Sequence, residues 1–294
     1  MESKDHAPEA SSSATRWWSK ETVAVVTGAN KGIGLALVRQ LAEMGLTVVL
    51  TCRDLIKGIE AVDSLAASGL QVELCRLDVA DLASIDAFVS WLKNKFGGLD
   101  VLVNNAAVSF NDIGYNSVDH AETVIKTNFY GPKLLTEALL PLFRRAASVS
   151  RILNISSRLG LLKNVSNTAL RELLKDEEGL SEEIIEDVVG QFLNQVKSGT
   201  WAQQGWPNIW TDYSVSKLAL NAYSAVLSKR QAGLGLSVNC YCPGFTKTSM
   251  THGQGKYTAE EAAEIGAQLA LLPLDKLPTG KFFIGSRPSL FSRL

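Results

Sequence analysis

The chain has 294 residues, 46% of them hydrophobic and 20% charged, a balance that supplies the core of a soluble globular protein. Its 29 basic and 30 acidic residues leave a formal net charge of −1, so no strong field draws it to nucleic acid or to an anionic membrane. No run approaches the roughly 18 apolar residues a membrane span needs, and none of the four cysteines has metal-ligand spacing, so the expected metal content is none.

In chain order, residues 1–20 are polar and rich in small side chains, and read as a disordered tail. Glu2, Asp5 and Glu9 argue against a transit peptide, and no apolar stretch suits a signal sequence. The expectation is a cytoplasmic protein, with Trp17-Trp18 packed on the edge of the domain that follows. From 21 to 294 a single domain is expected. Val/Ile/Leu-rich strands are placed at 22–27, 47–51, 71–77, 99–103, 151–156, 236–242 and 281–284, with helical patterns such as 33–44 and 54–67 between them. Asp54 is a plausible N-cap of the latter. Continuous apolar strands alternating with helices imply an α/β fold, a doubly wound, seven-stranded parallel sheet. The cysteines Cys52, Cys75, Cys240 and Cys242 all fall in strands or strand ends, as reduced thiols would.

A stretch of about 158–212 breaks this rhythm. It carries helical patterns at 167–175 and 181–197, then a turn holding Trp201, Trp206 and Trp210. It is too short for a comfortable core of its own, so it reads as a helical insertion.

Two constellations carry chemistry. After the first strand comes Thr27-Gly28-Ala29-Asn30-Lys31-Gly32-Ile33-Gly34. Gly28 permits a tight turn, Gly32 lets backbone amides approach a pyrophosphate, Gly34 allows close helix–strand packing, and the helix N-terminus faces the phosphates. Further on, Tyr213-Ser214-Val215-Ser216-Lys217 places a phenol and an amine one helical turn apart on one face. A free tyrosine titrates near 10. A neighbouring ammonium favours its phenolate and brings it toward a useful range for proton transfer.

Together with Asn104-Asn105-Ala106-Ala107, Asn128 in Lys126-Thr127-Asn128-Phe129, Ser156-Ser157 at the end of the fifth strand, and Pro243-Gly244-Phe245-Thr246-Lys247-Thr248 after the sixth, these motifs resemble the short-chain dehydrogenase/reductase family in order and position. The resemblance runs from about Thr22 to Ile284. It implies a nicotinamide dinucleotide held by Gly28, Asn30, Lys31, Gly32, Ile33, Gly34, Arg53, Asp78, Val79, Asn105, Pro243, Gly244, Thr246 and Thr248, with help from Tyr213 and Lys217. It also implies that Tyr213 donates a proton to a carbonyl oxygen, that Ser157 (or Ser156, on the opposite face of the strand) orients that oxygen, that Lys217 lowers the tyrosine pKa, and that Asn128 anchors a water. Ser157, Tyr213 and Phe245 would contact substrate. The three tryptophans either wall the pocket or pin the insertion.

The second strand ends Thr51-Cys52-Arg53-Asp54, where NAD sites usually place a carboxylate on the ribose. Here that position is the neutral Cys52, and Arg53 and Lys31 are two cations suited to a 2′-phosphate, which points to NADPH/NADP+. Asp54 is assigned to helix capping, with a ribose contact as the other reading. Fifty-six positions separate Ser157 from Tyr213, several times the gap of an ordinary family member. That resembles the carbonyl reductase branch and its plant neomenthol dehydrogenase-like and salutaridine reductase-like members, and implies a monomer reducing a small-molecule ketone or aldehyde. The alternatives are alcohol oxidation by the same site and a cofactor-binding sensor without turnover.

Overall fold

The computed structural model of the protein describes residues 16–145 and 149–284. Its seven strands are β1 (Val23–Val26), β2 (Thr47–Cys52), β3 (Glu73–Arg76), β4 (Val101–Asn104), β5 (Ser150–Ile155), β6 (Leu236–Cys242) and β7 (Lys281–Ile284). They form one sheet in the order β3-β2-β1-β4-β5-β6-β7, with every pairing parallel. All seven expected strands are present, with ends moved by at most two residues. The order reverses between β1 and β4, which opens a crevice at the carboxyl ends of those strands.

Every residue of β1, β4, β5 and β6 is buried, so helices must cover both faces. One face is covered by α1 (Gly32–Glu43), α2 (Leu55–Ala66) and α9 (Ala259–Ala270), whose Leu37, Leu41, Leu65, Ala263 and Ala267 share a core with Ala24 and Val26 of β1. The other is covered by α3 (Leu82–Phe96), α4 (Val118–Ile125), α5 (Gly131–Leu139) and α8 (Thr211–Arg230), through Phe88, Leu92, Ile125, Leu135, Leu218 and Leu227.

Asp54 caps α2, its Oδ1 accepting the Ile56 and Lys57 N–H groups at 3.1 and 3.2 Å, a bond set worth about 1 kcal/mol. The carboxylate is thereby committed to the helix rather than to a ribose.

Within the insertion, Asn167 caps α6 (Thr168–Lys175) and Ser181 caps α7 (Glu182–Lys197). Apolar residues Ile185, Val188, Val189, Phe192 and Val196 of α7 enter the same core as α4 and α8. The start of α7 is further tied down by charge. Lys133 Nζ meets Glu182 and Glu186 at 3.0 and 2.9 Å, Arg230 pairs with Glu137 and Glu182, and the Tyr223 hydroxyl donates to Glu137 at 2.6 Å.

Of the expected tail, residues 1–15 lie outside the described residues. Trp17 and Trp18 dock on the domain as expected, their indole N–H groups donating to Leu271 O (3.1 Å) and Met44 O (3.2 Å). The Trp17 ring lies 3.4 Å from the guanidinium carbon of Arg151, a buried arginine whose pKa burial pushes down to about 9. All four cysteines are free thiols. Among the described residues, no helix is long and apolar enough to cross a membrane.

Candidate active site

One cleft of about 490 Å³ lies at the carboxyl edge of the sheet. All the sequence-expected site residues line it except Gly34 and Asn128.

The β1–α1 loop forms one end. Gly28 has φ +61°, and a Cβ there would come within 2.7 Å of the Ala106 backbone, so only glycine lets the loop reach β4. Gly34 lies behind the cleft, where a Cβ would fall 2.4 Å from Asn105 Nδ2, so it serves helix–strand packing as expected. Asn105 fastens this junction by donating from Nδ2 to Thr27 O and Gly28 O (2.9 and 3.1 Å), and Thr27 Oγ1 accepts the N–H groups of Asn105 and Ala106. Thr27 was not singled out by sequence; its place before the glycines was the available signal.

At the head of α1, Lys31 makes no side-chain cap bond and the first turn holds no acidic residue. Those amides and the positive end of the helix dipole therefore remain for an anion. Thr248 stands across the loop from Gly32, 3.5 Å from where a Cβ would be, so the glycine cradle stays open beneath it. These features fit the pyrophosphate of a dinucleotide. At the end of β2, Cys52 and Arg53 line the cleft, and the Cys52 thiol donates to Asp54 O (3.1 Å), with no carboxylate in that position.

The other end is built by β5 and α8. Both serines line the cleft but differ in their bonds: Ser156 is buried with its Oγ donating to Asn221 Oδ1 (2.5 Å), while Ser157 Oγ accepts the Leu159 N–H (3.2 Å) and lies beside the Tyr213 phenol. Ser157 is therefore the serine at the site, because alternate strand residues point to opposite faces. The turn carrying it reaches α8 through Gly160, where a Cβ would sit 2.5 Å from the Lys217 backbone; sequence reading missed this glycine. Lys217 is 3% exposed, donates from Nζ to Ile155 O at 2.8 Å, and lies 5.5 Å from the Tyr213 ring centroid.

Electrostatics here differ from the expectation that Lys217 lowers the tyrosine pKa. Burial pushes the Tyr213 phenol well above its ordinary range, opposed only by the Ser157 bond. Burial also pushes Lys217 down to about 8. The Lys217 amine donates to a backbone carbonyl instead. A phenol in this setting is a firmly protonated acid at neutral pH.

Asn128 sits in a single π turn, Lys126–Tyr130, between α4 and α5, a local widening that the helical pattern did not reveal. Its side chain accepts from Val108 N (2.8 Å) and donates to Val108 O (2.9 Å) and Ser216 Oγ (3.1 Å). It thereby joins the loop after β4 to α8, with both side-chain N–H groups donating.

Above Tyr213 the cleft is walled by Phe245, Ile209, Trp210 and Leu159. The tryptophans divide. Trp210 meets Tyr213 edge-on with centroids 6.2 Å apart, whereas Trp206 is buried against Phe192 and donates to Gln195, and Trp201 packs on the main core. The loop after β4 spans the mouth: Asn111 Nδ2 donates to Met250 O (2.6 Å) and Ile113 bridges to Ile209.

A nucleotide-ready glycine loop at the switch point and a Ser–Tyr–Lys set at the facing strand define a dinucleotide-dependent oxidoreductase. Comparison with known proteins agrees. Residues 22–169 match the family model for short chain dehydrogenase. The chain is 41% identical over 291 residues to (+)-neomenthol dehydrogenase of Arabidopsis thaliana, covering 91% of this chain and 97% of that one. It is 38% identical over 270 residues to carbonyl reductase (NADPH) 1 of Homo sapiens, covering 88% and 95%. Its structure resembles salutaridine reductase from Papaver somniferum, with a TM-score of 0.84 and 38% identity over 90% of this chain and 100% of that one. The protein belongs to the short-chain dehydrogenase/reductase family, whose members use nicotinamide cofactors.

Proposed function

We propose that this protein is an NADPH-dependent carbonyl reductase, which converts a small-molecule ketone or aldehyde to an alcohol. The observation that carries this reading is the Tyr213 phenol beside Ser157, with Lys217 Nζ 5.5 Å from its ring, in the same cleft as the uncapped head of α1. Ser157 and Tyr213 grip the carbonyl oxygen from two directions and polarise it. Tyr213 then gives its proton to the oxygen as negative charge develops there. When bound, the nicotinamide supplies the hydride. Lys217 would hold its ribose, and its low pKa of about 8 lets the amine pass a proton back to the phenol near neutral pH.

Lys31 and Arg53 at the adenosine end, with Cys52 in place of a carboxylate, support NADPH over NADH. The names of relatives lend weight to carbonyl chemistry: one is a dehydrogenase of neomenthol, one a reductase of salutaridine, and one a carbonyl reductase that names NADPH. A monomer is supported by α7, which packs on the face made by α4 and α8 and is held there by the Lys133–Glu182–Arg230 charges. Free thiols and no apolar span among the described residues suit the cytoplasm.

The test is direct. NADPH oxidation is followed with a panel of ketones, aldehydes and enones, products are identified, and the panel is repeated with NADH and with the Tyr213→Phe variant. Alcohol products formed with NADPH, and lost in the variant, are expected. Equal kcat/KM for the two cofactors would refute the cofactor assignment, and a fully active variant would refute the mechanism.

A further inference from the structure

Five charged side chains line the cleft: Lys31, Arg53, Asp78, Arg158 and Lys217. Four belong to the cofactor reading above. Arg158 does not. It follows Ser157 directly and sits on β5's end, two strands from the glycine loop and three from the end of β2. At about 4.8 Å per strand, its backbone is roughly 10 Å from the one and 14 Å from the other, set toward the Ser157–Tyr213 end of the cleft.

The backbone of Arg158 is fixed. Its N–H donates to Cys242 Sγ (3.2 Å) and its carbonyl accepts from Asn164 Nδ2 (2.8 Å). Its side chain is exposed and forms no ion pair among the described residues. Some exposed cations, such as Arg230 and Lys197, are paired with carboxylates, whereas Arg158 is left free to meet a ligand in the cleft it lines. The same cleft is also lined by the apolar side chains of Leu159, Ile209, Trp210 and Phe245. A guanidinium beside an apolar wall is weakly hydrated, presents a planar fork that fits a carboxylate, and binds it more strongly than it would in open water.

We infer that Arg158 is the docking group for a carboxylate on the carbonyl substrate, so that the site takes keto acids with an apolar body. The carbonyl lies at Ser157 and Tyr213, the body lies on the Ile209–Trp210–Phe245 wall, and the carboxylate a few bonds from the carbonyl pairs with Arg158. This inference rests on the reductase reading and narrows its substrate class.

The probes are benzoylpropionate, an aryl keto acid, and its methyl ester, which caps the charge with one methyl group. Wild-type enzyme should favour the acid in kcat/KM by about tenfold, the effect of one charge-assisted bond. In Arg158→Leu the acid-to-ester ratio should fall by about 30-fold, and Arg158→Lys should recover part of it. Binding of each probe to the NADP+ complex, followed by tryptophan fluorescence, gives a readout independent of turnover. An acid-to-ester ratio that is the same in wild type and Arg158→Leu, in both rate and binding, overturns the inference. Tighter binding of the ester by wild type also overturns it. Failure of wild type to oxidise NADPH with any ketone would instead strike the reductase reading, while the binding ratio would still decide the role of Arg158.

Discussion

The two ends of the cleft are made of different material. Along the Gly28–Gly34 loop the surface is mostly backbone, shaped by glycines, an uncapped helix head and the Thr27–Asn105 bonds, all within two neighbouring strands. Above Tyr213 the surface is mostly side chains, drawn from the loop after β4, the end of the insertion, and the segment after β6, which meet only through contacts such as Asn111 to Met250. Backbone sites tolerate almost no change in shape but serve one common ligand. A wall of side chains from remote segments can be altered piece by piece. The Ser157–Tyr213–Lys217 trio stands at the seam, fixed by a close approach at Gly160 on one side and open to the wall on the other.

That contrast is broken or sharpened by graded changes. The largest effect is expected at the seam: Tyr213→Phe should cut kcat/KM by about three orders of magnitude, since it removes the proton donor outright. Steady-state kinetics with any accepted ketone measures it, and retention of more than a tenth of the rate would contradict the assigned role. Next, Gly28→Ala forces a Cβ against Ala106 at a positive φ. Cofactor affinity should drop about 100-fold, read by fluorescence titration with NADPH. An unchanged Kd would mean that the loop is softer than its geometry implies.

Arg53→Ala should weaken NADPH binding by about tenfold with little effect on NADH, as expected of a charge-assisted contact to the 2′-phosphate. Equal losses for both cofactors would place Arg53 elsewhere. Lys217 gives a pH signature of similar size. Its folded pKa of about 8 lies below its ordinary 10.5, so the folded state holds fewer protons than the unfolded state between these values, and stability rises with pH across that window. Relative to Lys217→Met, the wild type should gain about 2 kcal/mol between pH 7 and pH 10 in thermal or urea unfolding. Parallel pH curves would show that the amine is better hydrated than its burial suggests. The smallest effect is expected away from the cleft. Glu182→Ala removes partners of Lys133 and Arg230 and should lower Tm by a few °C, because partly exposed ion pairs are worth little singly. Sedimentation of the wild type should give 31.8 kDa, and twice that mass would refute the monomer.

Local rules made much of this legible from sequence. The seven strands, the glycine loop, the Asp54 cap and the helical turn joining Tyr213 to Lys217 all depend on residues near each other in the chain, so periodicity and spacing identify them. The α/β class and its parallel sheet follow from the same alternation. Tertiary structure decided the rest. It chose Ser157 over Ser156, committed Asn128 to Val108 and Ser216 through an unforeseen π turn, separated Trp210 at the site from Trp206 in the core, and reversed the expected pull on the tyrosine. Each of these depends on what lies across space. A side chain's partner and its loss of water are set by segments far away in sequence, and desolvation in particular has no local signature.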